Sequence, residues 1–525
     1  MRYFSKHKEI VVAILGIVAL YLVTHLFKLT VLPVFADESI YVRWAQLIMD
    51  EPARYALFPL NDGKTPLFIW ALVPLQYLFS DQLFAARILS VVVGLGQVFA
   101  IGWLIRLFGG KKQTAFLGML MTTLLPYWYV HHRVALMDGA MTLWLSLAVG
   151  GVLKIAEQKI NAKKLFSFEN LKKDWPWILF AGVFFGLALL TKLPGILFAP
   201  ILFLVGWGWL IIKKGFDFEK LFYLSIKIGM SVGLGFLMFI TLKLHPAFGQ
   251  LFSRGSDFLF PLGEVLGGAW RETIISVPNY LKYFIAYLTL PVILLNVIGL
   301  FSPKNKKTHH LLLFLALAFL APIMLMGRVV YPRYLFPASI FLTVSAALVF
   351  ENFYLFLDSK KNLLKKTLVQ LILILFLANM LAVSGVFVYQ SMFEVDKTPF
   401  VPADKVQYLY EWSSGHGIVE TVELIQSMAQ KQTVAVATEG FFGTLPDAIL
   451  MYLHDRDVTN IYVAGIGQPV AEIPEDFLER AQNFERKLLV VNSHRMRMDL
   501  APEKLIAEFC RPDNAPCLQI WDVGD

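Results

Sequence analysis

Residues 10–41 read IVVAILGIVALYLVTHLFKLTVLPVFADESIY. A run as apolar and as long as residues 10–30 is what a membrane-spanning helix needs, about 20 residues. Inside hydrocarbon every backbone polar group has to be paired within its own segment, which a continuous helix achieves. The run ends just before Asp37-Glu38, so the stretch describes a spanning helix that delivers two neighbouring carboxylates to one membrane face.

The rest of the chain has the same character. Of 525 residues, 57% are hydrophobic and 16% charged, and mean hydropathy is +0.61. These values exclude a cytosolic enzyme and a disordered or coiled-coil chain. Eleven apolar runs are long enough to span, near 10–30, 84–106, 114–130, 136–154, 176–191, 193–212, 221–243, 282–302, 310–327, 334–357 and 366–390. The apolar segment 66–80 contains Pro74 and is short for a span. It is assigned to the interface, because counting it would put Lys111 and Lys112 outside against the positive-inside rule. The N-terminus and the loops at 106–112, 154–174, 213–220, 304–310 and 358–366 then share one side. They carry 22 Lys and Arg against 9 in the opposite connections, which makes that side the cytoplasm. Val34-Phe35-Ala36 loosely suits a signal peptidase but lies well past the run, so the first span reads as an uncleaved anchor.

Charge divides the chain. Residues 1–390 hold 36 Lys and Arg and 18 Asp and Glu, net +18, whereas residues 391–525 hold 11 and 21, net −10. The expectation is a mainly α, polytopic membrane domain over 1–390 and a small C-terminal α/β domain over 391–525. The protein would be a multi-pass protein of the cell (plasma) membrane with a cytoplasmic N-terminus and an extracytoplasmic tail. In the tail, residues 433–437, 461–464, 487–491 and 518–521 read as strands, and 419–430, 446–453 and 502–509 as helices. Gly440 to Gly443 follows a strand and is a weak candidate ligand loop. Cys510 and Cys517 fit both a disulfide, if the compartment is oxidising, and two free thiols.

The spans are nearly free of ionisable groups. Lys227 and Glu351 fall near cytoplasmic ends, Lys28 and Arg87 near external ends, and no midplane relay of the kind ion-coupled transporters use is visible. Charge gathers instead in the external segments: Asp37, Glu38, Lys64, Arg87, His131, His132, Arg133, Asp138, and the loop Gly327 to Pro337 with Arg328, Tyr331, Arg333 and Tyr334. Each has a bland reading. Acids favour helix N-termini, the paired histidines are ordinary interfacial side chains, tyrosines populate the interfacial belt, and arginines snorkel. The functional reading is a set of carboxylates and guanidinium forks gathered around a lipid phosphate.

The order of these motifs resembles the membrane-embedded GT-C glycosyltransferases. It consists of Asp37-Glu38, then Lys64-Thr65-Pro66-Leu67 with Trp70, Ala86-Arg87-Ile88-Leu89-Ser90, Arg133 through Asp138, and Thr191-Lys192 after Gly186-Leu187-Ala188-Leu189-Leu190. The nearest branch is that of the protein O-mannosyltransferases, the lipid A aminoarabinose transferases and the RgtA/B/C/D-like enzymes. The likeness covers residues 1 to about 200 and extends to Tyr331–Pro337, but not to the tail. It implies transfer of a monosaccharide from a polyprenyl-phosphate donor, undecaprenyl in a bacterium or dolichyl in an archaeon. The acceptor would be a lipid, glycan or protein on the external face, with membrane lipids as surroundings and no nucleic-acid partner. It further implies Asp37 as general base or acceptor-positioning acid with Glu38 beside it and Asp138 as second acid. Lys64, Arg87, Arg133 and Arg333 would hold the donor phosphate, and Tyr41, His132, Tyr331 and Tyr334 would contact substrate.

The chemistry wants the same residue types. An acceptor hydroxyl needs a carboxylate to take its proton, and a leaving phosphate is stabilised by cations in a low-dielectric pocket. Direct displacement inverts the anomeric carbon. The chain departs from the family in two places. Lys64-Thr65-Pro66 stands where the aminoarabinose branch has Lys-Pro-Pro, and the loop 244–281 is too short for the β-trefoil of protein O-mannosyltransferases. No obligatory metal is expected, although Asp37, Glu38 and Asp138 are the residues that would hold a divalent cation. A lipid or glycan flippase and a membrane-anchored glycan sensor are the competing classes. The clean spans oppose the first, and an acid-base cluster outside the tail opposes the second.

Overall fold

The computed structural model describes residues 2–158, 168–302, 304–359, 363–454 and 459–524. Met1 and parts of the basic loops expected at 154–174 and 358–366 lie outside them. Among the described residues, nine helices are long and apolar enough to cross a membrane: Lys8–Leu26, Gln82–Leu107, Met137–Glu157, Lys172–Thr191, Leu193–Lys214, Phe218–Leu244, Lys306–Met326, Pro332–Phe353 and Thr367–Phe393. A tenth span is formed if the pair Val277–Leu288 and Leu290–Gly299, bent by 109°, is taken as one. Its corner is Thr289, held at φ 70°.

The count corrects the expected eleven. The run 114–130 is not one helix but two, Lys112–Leu124 and Pro126–His131, separated by Leu125 in extended conformation. Proline has no N–H to donate and its ring clashes with the preceding turn, so Pro126 starts a helix instead of continuing one. The segment 66–80 forms the 12-residue apolar helix Leu67–Leu78 with Pro74 inside it.

The chain falls into two compact units. The first comprises residues 1–27, 59–68 and 90–389 and holds most of the spans. Buried Lys227 is neutralised by Asp174, as a desolvated ion must be, and half-buried Glu351 accepts from Thr114 and from the Lys111 amide.

The second unit joins the tail, residues 390–525, to residues 28–58 and 69–89. Its sheet contains β1 (Val434–Thr438), β2 (Ile461–Gly465), β3 (Arg486–Asn492), β4 (Leu505–Phe509) and β5 (Leu518–Asp522) in the order β2-β1-β3-β5-β4. The first three strands are parallel, and β5 and β4 add antiparallel. Ala435, Ala437, Leu489 and Val491 carry a core closed by Val470 and Phe477.

The expected helix at 502–509 is instead a short turn followed by β4. Leu505-Ile506-Ala507-Glu508-Phe509 pairs with β5, and Cys510 and Cys517 close the hairpin as a disulfide. Sheet pairing therefore overrides a pattern that suits a helix equally well.

Candidate active site

In the second unit, the helix Ala36–Asp50 begins after Phe35 in extended conformation. Glu38 turns back so that Phe35 N donates to Glu38 Oε2 at 3.0 Å, satisfying an amide the helix leaves unpaired. Arg87 completes the arrangement. Its Nε donates to Glu38 Oε1 at 2.8 Å and its Nη2 to Oε2 at 2.7 Å, while the remaining N–H groups reach the carbonyls of Leu29, Leu32 and Pro33 at 2.8–3.1 Å. A guanidinium has five N–H donors, and these contacts use them all. Glu38 and Arg87 are 0% and 1% exposed.

This geometry revises two readings. Arg87 has no donor left for a phosphate, and Glu38 has both oxygens committed to the fold, so the pair positions its neighbour. That neighbour is Asp37. From Val34 to Val42 it is the one residue that is not buried. Its turn is clamped by backbone from the tail: Ala36 N donates to Ser413 O at 2.9 Å, Gly415 N to Val34 O at 2.7 Å, and Ser39 Oγ to Gly443 O at 2.9 Å. Position 415 requires glycine, because a Cβ there would lie 2.6 Å from Val34 O. Tyr41, expected to contact substrate, is 3% exposed and packs inside the unit instead.

In the first unit, Asp138 occupies the first turn of the helix Met137–Glu157. Lys192 Nζ donates to both of its oxygens, at 2.7 and 2.8 Å. The same ammonium lies 5.1 Å from the centre of the Tyr334 ring. Arg333 stacks on Tyr331 at 5.1 Å and on Tyr334 at 5.4 Å, and both tyrosines are half-buried. The result is a cationic and aromatic cluster of Lys192, Arg333, Tyr331 and Tyr334 beside one carboxylate. Lys64 is bonded to Asp62 at 2.7 Å, with Arg254 on the other oxygen of that carboxylate.

Two further readings change. Arg133 Nη1 reaches the carbonyls of Thr24, His25 and Phe27 at 2.9–3.1 Å. Through Nη1 it thus tethers the C-terminal end of the first helix, where unpaired carbonyls favour a cation. His132 is 1% exposed, with Tyr21, His25 and Trp128 rings about it at 5.8–5.9 Å. It packs as a buried side chain among these rings.

Residues 59–248 match the family model for dolichyl-phosphate-mannose-protein mannosyltransferase, a stretch that includes Lys64, Arg87, Arg133, Asp138 and Lys192. The fold is similar to ArnT from Cupriavidus metallidurans in the apo state, with TM-score 0.57 and 14% identity over 98% of both chains. It matches the undecaprenyl-phosphate-bound form of the same protein at 0.57 and 13%, again over 98% of both. It is also similar to the archaeal oligosaccharyltransferase AglB from Archaeoglobus fulgidus, with TM-score 0.52 and 12% identity over 92% of this chain and 70% of that one. The chain has the GT-C fold that these proteins share. Sequence comparison with curated proteins gives no significant match.

Lys192 received no role from the sequence, although it closes the last motif of the first 200 residues. Its signal was its isolation, a single cation between two apolar runs. What it meets, Asp138 from a segment 54 positions earlier, is a tertiary fact. Glu38 and Asp138 each hold a protein cation, Arg87 and Lys192.

Proposed function

We propose that this glycosyltransferase moves a monosaccharide from a polyprenyl-phosphate donor to an acceptor hydroxyl at the extracytoplasmic face of the cell membrane, by inverting displacement. The observation that carries the reading is the division of labour at Asp37-Glu38. Glu38 is sealed by Arg87, and Asp37 is held half-open on a turn clamped from both sides. A carboxylate fixed in this way is suited to accept a proton as the new bond forms.

In the proposed reaction the acceptor oxygen attacks C1 of the sugar and the bond from C1 to the phosphate oxygen breaks. The bonding pair leaves with the polyprenyl phosphate, and the acceptor proton passes to Asp37. Lys192 and Arg333 are assigned to the phosphate, with Lys64 as an auxiliary cation, because fixed positive charge away from bulk water lowers the energy of the developing anion. Tyr331 and Tyr334 are assigned to the sugar or the phosphate rim. Support for a polyprenyl carrier comes from the similar structures, one bound to undecaprenyl phosphate and one to a dolichol-phosphate. The acceptor is a lipid, glycan or protein, and the side of the membrane follows from the distribution of Lys and Arg.

The test is transfer of labelled sugar from a panel of polyprenyl-phosphate monosaccharides by purified wild type and Asp37→Asn, with membrane extract as acceptor pool. Label reaching an acceptor with wild type and not with the variant supports the proposal. Equal transfer by both removes Asp37 from the chemistry.

A further inference from the structure

In the tail sheet, the chain leaves β1 toward β2 on one side and leaves β3 toward β5 and β4 on the other. The carboxyl ends of β1 and β3 are therefore a topological switch point. In open α/β sheets ligands settle at that place, because the loops diverge there and leave a crevice. Here it is lined with polar groups. Glu439, directly after β1, accepts from Asn492 N at 2.8 Å, from Asn492 Nδ2 at 2.7 Å and from Arg495 at 3.2 Å. Arg495 in turn lies 4.5 Å from the Trp412 ring centre. His494 faces Glu411 at 3.7 Å, and Arg511 reaches the Ser414 carbonyl at 3.0 Å.

Several of these groups have bonding capacity to spare. Asn492 Oδ1, His494 Nδ1 and Arg511 Nε are buried atoms without a hydrogen-bond partner, and Asn492 is 1% exposed. Unpaired buried donors and acceptors are unfavourable unless a ligand satisfies them. Beside them the Gly440-Phe441-Phe442-Gly443 turn presents two exposed phenylalanines. Gly443 lies so close to Trp412 that a Cβ would be 3.0 Å from its ring.

The composition of the cluster selects the ligand class. Two carboxylates, Glu411 and Glu439, balance two guanidiniums, Arg495 and Arg511, so the crevice has no net charge with which to attract a phosphate or an acidic peptide. Planar amide, carboxylate and guanidinium groups around an aromatic face complement a ring whose edge carries hydroxyls and whose face carries C–H groups. We propose that the carboxyl end of β1 and β3 is a saccharide-binding site that takes a neutral sugar ring of the acceptor. The acceptor role rests on the glycosyltransferase reading above; saccharide binding itself does not. The link to the chemistry is covalent continuity. Ser413, next to Trp412, takes the Ala36 amide, and Gly443 takes the Ser39 hydroxyl, so the segments that line the crevice also clamp the turn that carries Asp37.

The experiment uses the full-length protein in lipid nanodiscs and a panel of neutral gluco-, manno-, galacto- and arabino-oligosaccharides. Binding is followed by saturation-transfer NMR up to about 10 mM, ten times the upper end of common KM values. At least one saccharide is expected to bind wild type, to bind Trp412→Ala and Arg495→Gln at least tenfold more weakly, and to take label from the donor. No binding by wild type, or equal binding by both variants, overturns the site whether or not either variant is fully stable. Preference for inorganic phosphate or an acidic peptide over every neutral sugar overturns the ligand class. Binding without label transfer, by a protein that does consume donor, removes the acceptor role. Absence of donor consumption by wild type counts against the transferase reading alone, since the binding arm uses no donor.

Discussion

Replacing Arg87 with Met would separate the two adjacent acids experimentally. The substitution leaves Glu38 ionised and buried without its bidentate partner, and it strips three buried carbonyls of their donors. Breaking a buried ion pair from one side costs about 3–5 kcal/mol. The carbonyls add to that, so a total near 5 kcal/mol is expected, on the order of the whole stability of many domains. Arg87→Lys keeps the charge but offers three donors in place of five, and about 2 kcal/mol should be lost. The double variant Glu38→Gln/Arg87→Met leaves no buried charge uncompensated and should recover roughly 2 kcal/mol relative to Arg87→Met. The assay is equilibrium unfolding of the purified protein in mixed micelles, paired with the transfer rate. Asp37→Asn is the contrast: stability within about 0.5 kcal/mol of wild type, transfer down roughly 10²- to 10⁴-fold. If Arg87→Met kept wild-type stability and raised only the donor KM, Arg87 would be a phosphate ligand and the structural reasoning would fail. If Glu38→Gln lost rate without losing stability, the roles of the two acids would be reversed.

Lys192→Met should lower kcat/KM for the donor about 10²- to 10³-fold, as removal of one charge-stabilising group does elsewhere, and Lys192→Arg should retain part of it; an unchanged donor kcat/KM in both would take Lys192 out of the site. Because protein cations already compensate Glu38 and Asp138, chelation with EDTA should leave transfer unaffected, and recovery of lost activity by a divalent cation would contradict this. Cys510→Ser should destabilise the second unit by about 2 kcal/mol, the loop-closure term for so short a ring, with proteolysis of the β4–β5 hairpin as the readout. Burial holds the His494 imidazole below its ordinary value, with Glu411 opposing. The unfolded chain therefore binds the proton more readily, so the stability this group contributes is present above its unfolded pKa, about 6.5. It is lost as pH falls below that value. His494→Gln should flatten the dependence in acid unfolding curves, and an unchanged slope would exclude His494 as its source.

The membrane helices were legible because a span is fixed by local quantities, length and apolarity, and residues 82–107 or 367–393 declare themselves without neighbours. Where local signals conflict, legibility fails. Residues 114–130 are apolar enough to span, yet Pro126 divides them. Residues 502–509 suit a helix or a strand, and a partner strand 518–522 decides. The candidate site divides in the same way. The presence of Asp37, Asp138, Lys192 and Arg333 in a recognisable order is written in the chain.

The sequence by itself determined a multi-pass membrane protein with an α/β region in its tail, and a motif order pointing to glycosyl transfer, because each follows from composition, run length and residue order. Only the tertiary structure decided which charges are committed to the fold. Arg87, Arg133, Lys192 and Arg333 are chemically alike in a sequence. Three backbone carbonyls and Glu38 saturate Arg87, a helix end takes Nη1 of Arg133, Lys192 holds Asp138, and Lys192 and Arg333 lie against tyrosine rings. A guanidinium or ammonium has a fixed number of donors, and whether any remain for a substrate depends on partners brought together from distant parts of the chain.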